Sequence, residues 1–304
     1  QKIGRHALTF GLDHQYEQLD SDRIASTGHR RRNDVFAQDE LQLFDTRLTL
    51  VPGLRYDRDS QFGTAITPKL ALRYDLSERW LLRAGGGEGY RAPDFKQLLL
   101  FFNNPAVGYR VVGNPNLKPE RSTGFNAGST WIAGPALSFS GNAYLNRVRD
   151  LIDIIQTVPG QPRPGSTVIF SYTNVENARL MGFDGQAEWQ PQLGLRRPLV
   201  LRVGYGYLDS RDTETGLPLS GRAKHRANLD LGWRQPLYAL DLRGVWIGQR
   251  IFQVELDTGG APTGAGTAKP YALFDARAEW KGFRAANLAL GISNLLDTGD
   301  TRYL

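Results

Sequence analysis

Ala223-Lys224-His225-Arg226-Ala227-Asn228-Leu229-Asp230-Leu231-Gly232-Trp233-Arg234 sets Ala223, His225, Ala227, Leu229, Leu231 and Trp233 against Lys224, Arg226, Asn228, Asp230 and Arg234. A period of two means an extended strand with one apolar and one polar face. The same alternation recurs on both sides of this stretch. Leu8, Phe10 and Leu12 alternate with Thr9, Gly11 and Asp13, and Leu48, Leu50, Leu54 and Tyr56 with Thr49, Gly53 and Arg55. Ile66, Leu70, Leu72 and Tyr74 oppose Thr67, Lys69, Arg73 and Asp75. Further on, Leu199, Leu201, Val203, Tyr205 and Tyr207 oppose Arg202, Gly204 and Gly206; Leu240, Leu242 and Trp246 oppose Asp241 and Arg243; and Phe274, Ala276, Ala278 and Trp280 oppose Asp275, Arg277 and Glu279. The parity of Val35–Phe44 stays open.

Alternation alone fits any half-solvated antiparallel sheet. Three features favour lipid over water on the apolar side. Connections alternate in length. Short ones sit near Asp45, Ser77, Gly134, Pro236 and Gly282, with a medium one at Pro191–Pro198; long ones sit at Glu17–Asn33, Ala92–Pro119, Gln156–Ser171, Arg211–Arg222 and Glu255–Lys269. Short turns on one rim and long loops on the other are the layout of an outer-membrane barrel. Trp80, Trp131, Trp189, Trp233 and Trp280 lie beside the short or medium links with apolar parity, as a girdle at a membrane interface would; Trp246 shares the parity but lies mid-strand. Charge and glycine fill the other face, which a packed sandwich core would not tolerate. Each run covers about 9–13 residues, enough to cross a bilayer at a tilt of roughly 45°.

The expected fold is therefore all-β: one transmembrane antiparallel β-barrel domain over residues 1–304. About thirteen strands fit the pattern, and a closed bacterial barrel needs an even number. The chain is expected to be a piece of a larger barrel, without its first strands and its closing strand.

Composition excludes several classes. There are 34 glycines and no cysteine, so disulfides and thiolate metal sites are absent. A net charge of +6 is spread along the chain, with Arg30-Arg31-Arg32 the one cluster, which argues against a nucleic-acid partner. The four histidines, His6, His14, His29 and His225, make no His-x-x-x-His pair, and no Gly-x-Ser-x-Gly elbow occurs, so no enzyme is expected. Gly85–Gly89 resembles a phosphate loop only superficially, with no helix expected after it. Asp150, Asp153, Asp184, Asp297 and Asp300 read as solvated loop-end residues, and no metal or cofactor is expected.

The interval from Gly85 to Arg121 is too long for a plain connection and too aromatic for disorder. It carries the boxes that identify a family. Gly89-Tyr90-Arg91-Ala92-Pro93-Asp94-Phe95 resembles the Gly-Phe-Arg-Ala-Pro stretch of TonB-dependent outer-membrane receptors, and Gly113-Asn114-Pro115-Asn116-Leu117-Lys118-Pro119-Glu120 resembles their Asn-Pro-Asp/Asn-Leu-Lys-Pro-Glu box. Asn174-Val175-Glu176-Asn177-Ala178 and Ile292-Ser293-Asn294-Leu295-Leu296-Asp297 are similar to two later boxes, in the same order. The resemblance implies a barrel of roughly twenty-two strands around an N-terminal plug that recruits TonB, with the plug outside this chain. It also implies import of a scarce large solute through the outer membrane of a Gram-negative bacterium, with lipid and lipopolysaccharide around the wall. Solutes of such families include ferric siderophores, haem and cobalamin; a passive porin-like channel is the alternative outside the family. No histidine stands between Asp94 and Gly113, which weakens the haem reading. An anionic iron–siderophore complex would suit aromatic rings with converging guanidinium groups. The candidates are Arg91, Phe101, Phe102, Tyr109 and Arg110 on the long loop, with Arg30, Arg31, Arg32, Arg211 and Arg222 on other loops of the same rim.

Overall fold

Hairpin after hairpin, the alternating segments pair with their sequence neighbours. The computed structural model describes residues 2–24, 26–105, 108–156, 168–191, 199–256, 262–282 and 286–299. The first strands are β1 (Lys2–Ile3), β2 (His6–Leu19), β3 (Gly28–Leu43), β4 (Leu48–Asp59), β5 (Gly63–Ser77) and β6 (Trp80–Arg91). An excursion follows, made of helix α1 (Phe95–Leu99) and the hairpin β7 (Phe101–Asn104) and β8 (Tyr109–Val112). The wall resumes with β9 (Glu120–Gly134), β10 (Leu137–Gln156), β11 (Val168–Trp189), β12 (Leu199–Asp212), β13 (His225–Arg234) and β14 (Tyr238–Ile247). β15 (Arg250–Leu256) and β16 (Pro262–Ala268) pair with each other, and β17 (Tyr271–Trp280) and β18 (Leu288–Ile292) return to the wall.

The sheet order is β1-β2-β3-β4-β5-β6-β9-β10-β11-β12-β13-β14-β17-β18, antiparallel throughout. Among the described residues no pairing joins β18 to the first strands, so the wall is a partial barrel. The fold is all-β apart from the one-turn helix α1, which departs from the expectation of no helix after the glycine run. Asp94 caps it and takes the amide of Gln97 itself, at 2.7 Å.

Among the described residues, nothing packs over the apolar face. Leu12 is 85% exposed, Phe10 71% and Leu290 69%. In water an apolar surface this continuous would drive association; in hydrocarbon it is the stable arrangement, because backbone groups between neighbouring strands are paired within the sheet. The opposite face lines a polar cavity of ≈ 920 Å³ edged by Asn126, Asn142, Asp184, Gln186, Arg226 and Asn228. On this lumen side, charges on β11–β17 sit in register as an alternating ladder: Glu188 beside Arg202, Arg202 beside Asp230, Asp230 beside Arg243, Arg243 beside Asp275. Arg202 reaches Glu188 at 2.6 Å.

Trp80, Trp131, Trp189, Trp233 and Trp280 lie at the short-link ends of β6, β9, β11, β13 and β17. Trp80 and Trp131 face each other across β6 and β9, Trp131 stacks on Phe139 at 5.8 Å, and Trp233 meets Tyr238 at 5.2 Å. Trp246 does not lie mid-strand; it is next to the last residue of β14, at the long-loop end.

Pairing also resolves Val35–Phe44. Val35, Ala37 and Leu41 share the apolar face with Leu12, Phe10 and His6. Phe36 turns inward and covers Gly11, where a Cβ would lie 2.1 Å from its ring. Asp39 breaks the alternation on the apolar face because it binds His6 Nδ1 at 2.6 Å near the short-turn rim.

Two expected features of the long-loop rim are corrected. Residues 60–62 form a tight link there, closed by Asp59 Oδ1 accepting the amides of Gln61 and Phe62 at 2.8 and 3.2 Å. The interval Glu17–Asn33 is mostly strand, so Arg30, Arg31 and Arg32 belong to β3 and not to a loop; Arg211 likewise belongs to β12. β10 and β11, with 20 and 22 residues, run far past the roughly ten residues a tilted span needs. The predicted links at Gln156–Ser171, Pro191–Pro198 and Glu255–Lys269 contain residues 157–167, 192–198 and 257–261, outside the described residues, as are Gln1 and Asp300.

Candidate functional site

Helix α1 exists because Asp94 and Gln97 close a capping box, Gln97 Oε1 accepting the Asp94 amide at 3.1 Å. It turns Leu98 into a small core with Leu117 and Ile152, walled by Phe62, Phe95, Leu99 and Tyr172. Gly113 lets the Asn-Pro box lie directly on the helix end: a Cβ there would stand 2.6 Å from the backbone of Leu98 and Leu99. The amides of Gly113 and Asn114 donate to Leu100 and Gln97 carbonyls at 2.6 and 2.8 Å.

The family boxes bind one another. Arg91 Nε donates to Glu120 Oε2 at 2.9 Å, and Glu120 Oε1 accepts the Ile152 amide at 2.8 Å. Asn114 Nδ2 donates to the Tyr172 carbonyl at 2.9 Å. Asn174 accepts from the Lys118 amide at 2.8 Å and donates to the carbonyls of Lys118 and Asp150 at 2.9 and 2.7 Å. Asp150 holds φ 55° at this junction. Pro93 and Leu117 are buried beside them. These motif residues make a scaffold on which the excursion stands.

Arg30 is its anchor. The side chain is 4% exposed and its Nη1 donates to the Pro93 carbonyl at 2.6 Å, while Nη2 donates to Glu17 at 2.9 Å. Its guanidinium lies over Phe95, 5.2 Å from the ring centre. Asp59 Oδ2 stands 3.7 Å from Nε, a charge contact too long for a hydrogen bond. Arg32 is bonded to Gln15 and Glu17.

Glu17 lies above the apolar band, between both arginines. Burial pushes its pKa up, but the Arg30 hydrogen bond and the charges of Arg32 and Arg30 outweigh this and hold it below the ordinary glutamate range. A depressed folded pKa gives stability that is complete above the ordinary value, about 4.3, and drains away as pH falls below it. Limited proteolysis of residues 92–119 between pH 7 and pH 3 should show protection lost only in the acid arm. Glu17→Gln should flatten that arm; a wild-type profile in the variant would refute the linkage.

The ten predicted ligand residues divide into four groups. Arg30, Arg32 and Arg91 are engaged in the scaffold's ion pairs. Arg31 and Arg211 point with the apolar face, Arg31 over the ring of Tyr16 at 5.8 Å and Arg211 on Asp209 at 3.0 Å. Arg222 edges the lumen cavity. Phe101, Phe102, Tyr109 and Arg110 come together on the β7–β8 hairpin. Tyr109 packs on Phe102 at 5.9 Å and meets Phe170 edge-on at 6.4 Å. Arg110 lies over Phe101 at 5.4 Å, and its buried Nε has no acceptor among the described residues. Arg23 adds a second guanidinium over Phe102 at 5.5 Å. Sequence reading missed Arg23, on the connection between β2 and β3, and Phe170, near the start of β11. Two long-range pairings bring them in: β8 runs parallel to the start of β11, and the Phe101 amide donates to the Arg23 carbonyl at 2.7 Å.

A lipid-facing sheet with a polar lumen and a folded aromatic–arginine platform on its long rim defines the wall of an outer-membrane β-barrel. Residues 2–295 match the model of the TonB dependent receptor-like β-barrel, and the chain belongs to that family. It is 26% identical to the iron-regulated outer membrane virulence protein of Vibrio cholerae, over 97% of this chain and 46% of that one. It is 27% identical to the ferric enterobactin receptor of Pseudomonas aeruginosa, over 90% of this chain and 38% of that one. The chain thus spans less than half the length of these relatives. A solved variant of the ferric enterobactin receptor in complex with enterobactin superposes with a TM-score of 0.76 at 23% identity, covering 98% of this chain and 47% of that one. The siderophore receptor PirA of Acinetobacter baumannii gives a TM-score of 0.69 at 22% identity, covering 92% and 43%.

Proposed function

We propose that residues 1–304 form one barrel domain of a receptor that imports a ferric siderophore across the outer membrane of a Gram-negative bacterium. The observation that carries this reading is the β7–β8 platform, where Arg23 and Arg110 lie on Phe102 and Phe101 with Tyr109 and Phe170 behind them. A tris-catecholate iron complex is anionic and presents flat aromatic ligand faces. Stacked rings take its ligand faces, and the guanidinium of Arg110 meets its charge. Recognition of siderophores by relatives of this fold points the same way. TonB would act through a plug segment, and this chain supplies the wall and the outer binding surface.

Titration of the intact receptor with a ferric catecholate, followed by quenching of intrinsic fluorescence, tests the assignment. Phe102→Ala and Arg110→Ala should each weaken binding by about tenfold or more, in line with truncation of buried aromatic and arginine anchors. Arg31→Ala, on the lipid-side face, should leave it unchanged. Binding unaffected by both platform variants would remove the platform from the site.

A further inference from the structure

On the outward face, directly above the apolar band, β9–β12 carry arginines that oppose one another. Arg121 pairs in register with Arg149, Arg147 with Arg179, and Arg179 with Arg211. Like charges directly across a strand pair repel. The lumen-side ladder from Glu188 to Asp275 alternates in sign, whereas here arginine meets arginine, an arrangement that a counter-charge from outside the chain would relieve. Few carboxylates lie beside it: Asp209, shared by Arg179 and Arg211 at 3.3 and 3.0 Å, and Glu88, next to Thr123. Among the described residues, Arg147 and Arg149 form no ion pair although both are exposed. Arg121 lies over Tyr90 at 5.6 Å, and Arg179 Nε is buried without an acceptor.

The place selects the partner. A cleft of ≈ 600 Å³ is walled by Arg147, Arg149 and Arg179 and, at its lower edge, by Phe125 and Leu145. Phe125 (59% exposed) and Phe183 (46%) continue the apolar face toward the tryptophan rim. An occupant must therefore be anionic at the arginines and greasy below them. We infer that Arg121, Arg147, Arg149 and Arg179 form a binding site for the phosphate groups of an outer-leaflet lipid, whose acyl chains lie along Phe125, Leu145 and Phe183. Guanidinium forks suit phosphate oxygens through paired N–H bonds, and bound phosphate screens each arginine from the next. The site lies on the lipid side of the wall and is separate from the β7–β8 platform.

The intact receptor, purified in detergent and stripped of lipid, is titrated with bisphosphoryl lipid A, with its dephosphorylated form and with inorganic phosphate, and bound lipid is counted by native mass spectrometry. Wild type should hold the bisphosphoryl lipid at least tenfold more tightly than the dephosphorylated one, and millimolar inorganic phosphate should not displace it. Arg147→Gln/Arg149→Gln should abolish that preference, while Arg47→Gln/Arg79→Gln, with the same charge change at the short-turn rim, should keep it. Relief of repulsion should leave the lipid-free Arg147→Gln/Arg149→Gln receptor at least as heat-resistant as wild type, which separates loss of the site from loss of the fold. Equal binding of both lipids, retention of the preference in that variant, or displacement by inorganic phosphate alone would each overturn the assignment.

Discussion

Arg30→Ala should free the platform from the barrel wall. The substitution removes a side chain that joins β2, β3, the end of β4 and the Pro93 carbonyl in one contact set. It leaves Asp59, 4% exposed, without its cation and the half-buried Glu17 with Arg32 alone, and it uncovers the face of Phe95. Breaking a buried ion pair from one side costs about 3–5 kcal/mol, and here the cost falls on the platform while the membrane-spanning ladder keeps its own hydrogen bonds. Hydrogen–deuterium exchange of the intact receptor should show residues 92–119 losing protection by two to three orders of magnitude, with β12–β14 unchanged. Arg30→Lys should restore little, because a single ammonium cannot serve Pro93 and Glu17 in the planar geometry of the fork. Unchanged exchange over 92–119 would show that the boxes hold the platform without Arg30.

Leu229→Arg and Asn228→Arg differ by one position and should differ widely in outcome. Leu229 lies midway along the apolar face of β13, between Val203 and Gly244; Asn228 lines the lumen cavity. An arginine facing hydrocarbon near the midplane of a barrel costs about 2–4 kcal/mol. The same residue facing a water-filled lumen should change stability by no more than about 0.5 kcal/mol. Reversible unfolding of the receptor in lipid vesicles, read by the gel mobility of unheated protein, measures both. Equal losses would mean that the two faces meet the same medium.

Much of the wall was legible in the residues. Leu229 and Leu231 against Asn228 and Asp230 fix which side meets lipid, and one wrong step in register would put Asp230 into hydrocarbon, so the pattern tolerates a single solution. The five tryptophans share one parity and one end of their strands, which the residues alone state. The strand reach was not legible: Arg30, Arg31 and Arg32 look like a solvated run until β3 is seen to continue past the membrane, where polar residues on both faces no longer report parity. Val35–Phe44 resisted for a related cause, since Phe36 fills the space above Gly11 on the polar side and Asp39 binds His6 on the apolar side. Helix α1 had a signal, the Asp94-to-Gln97 capping spacing, hidden in an interval dominated by prolines and aromatics.

By itself the sequence determined the medium on each face, the order of the strands and the rim that carries the long excursions, because these follow from local periodicity and from which residue types hydrocarbon accepts. Only the tertiary structure decided what each arginine does. Arg30 meets Pro93 across 63 residues of chain, and Arg147 meets Arg179 across a hairpin whose register no local pattern states. A guanidinium is equally at home in an ion pair, over a ring or on a phosphate, so its role is set by the neighbours that long-range pairing delivers.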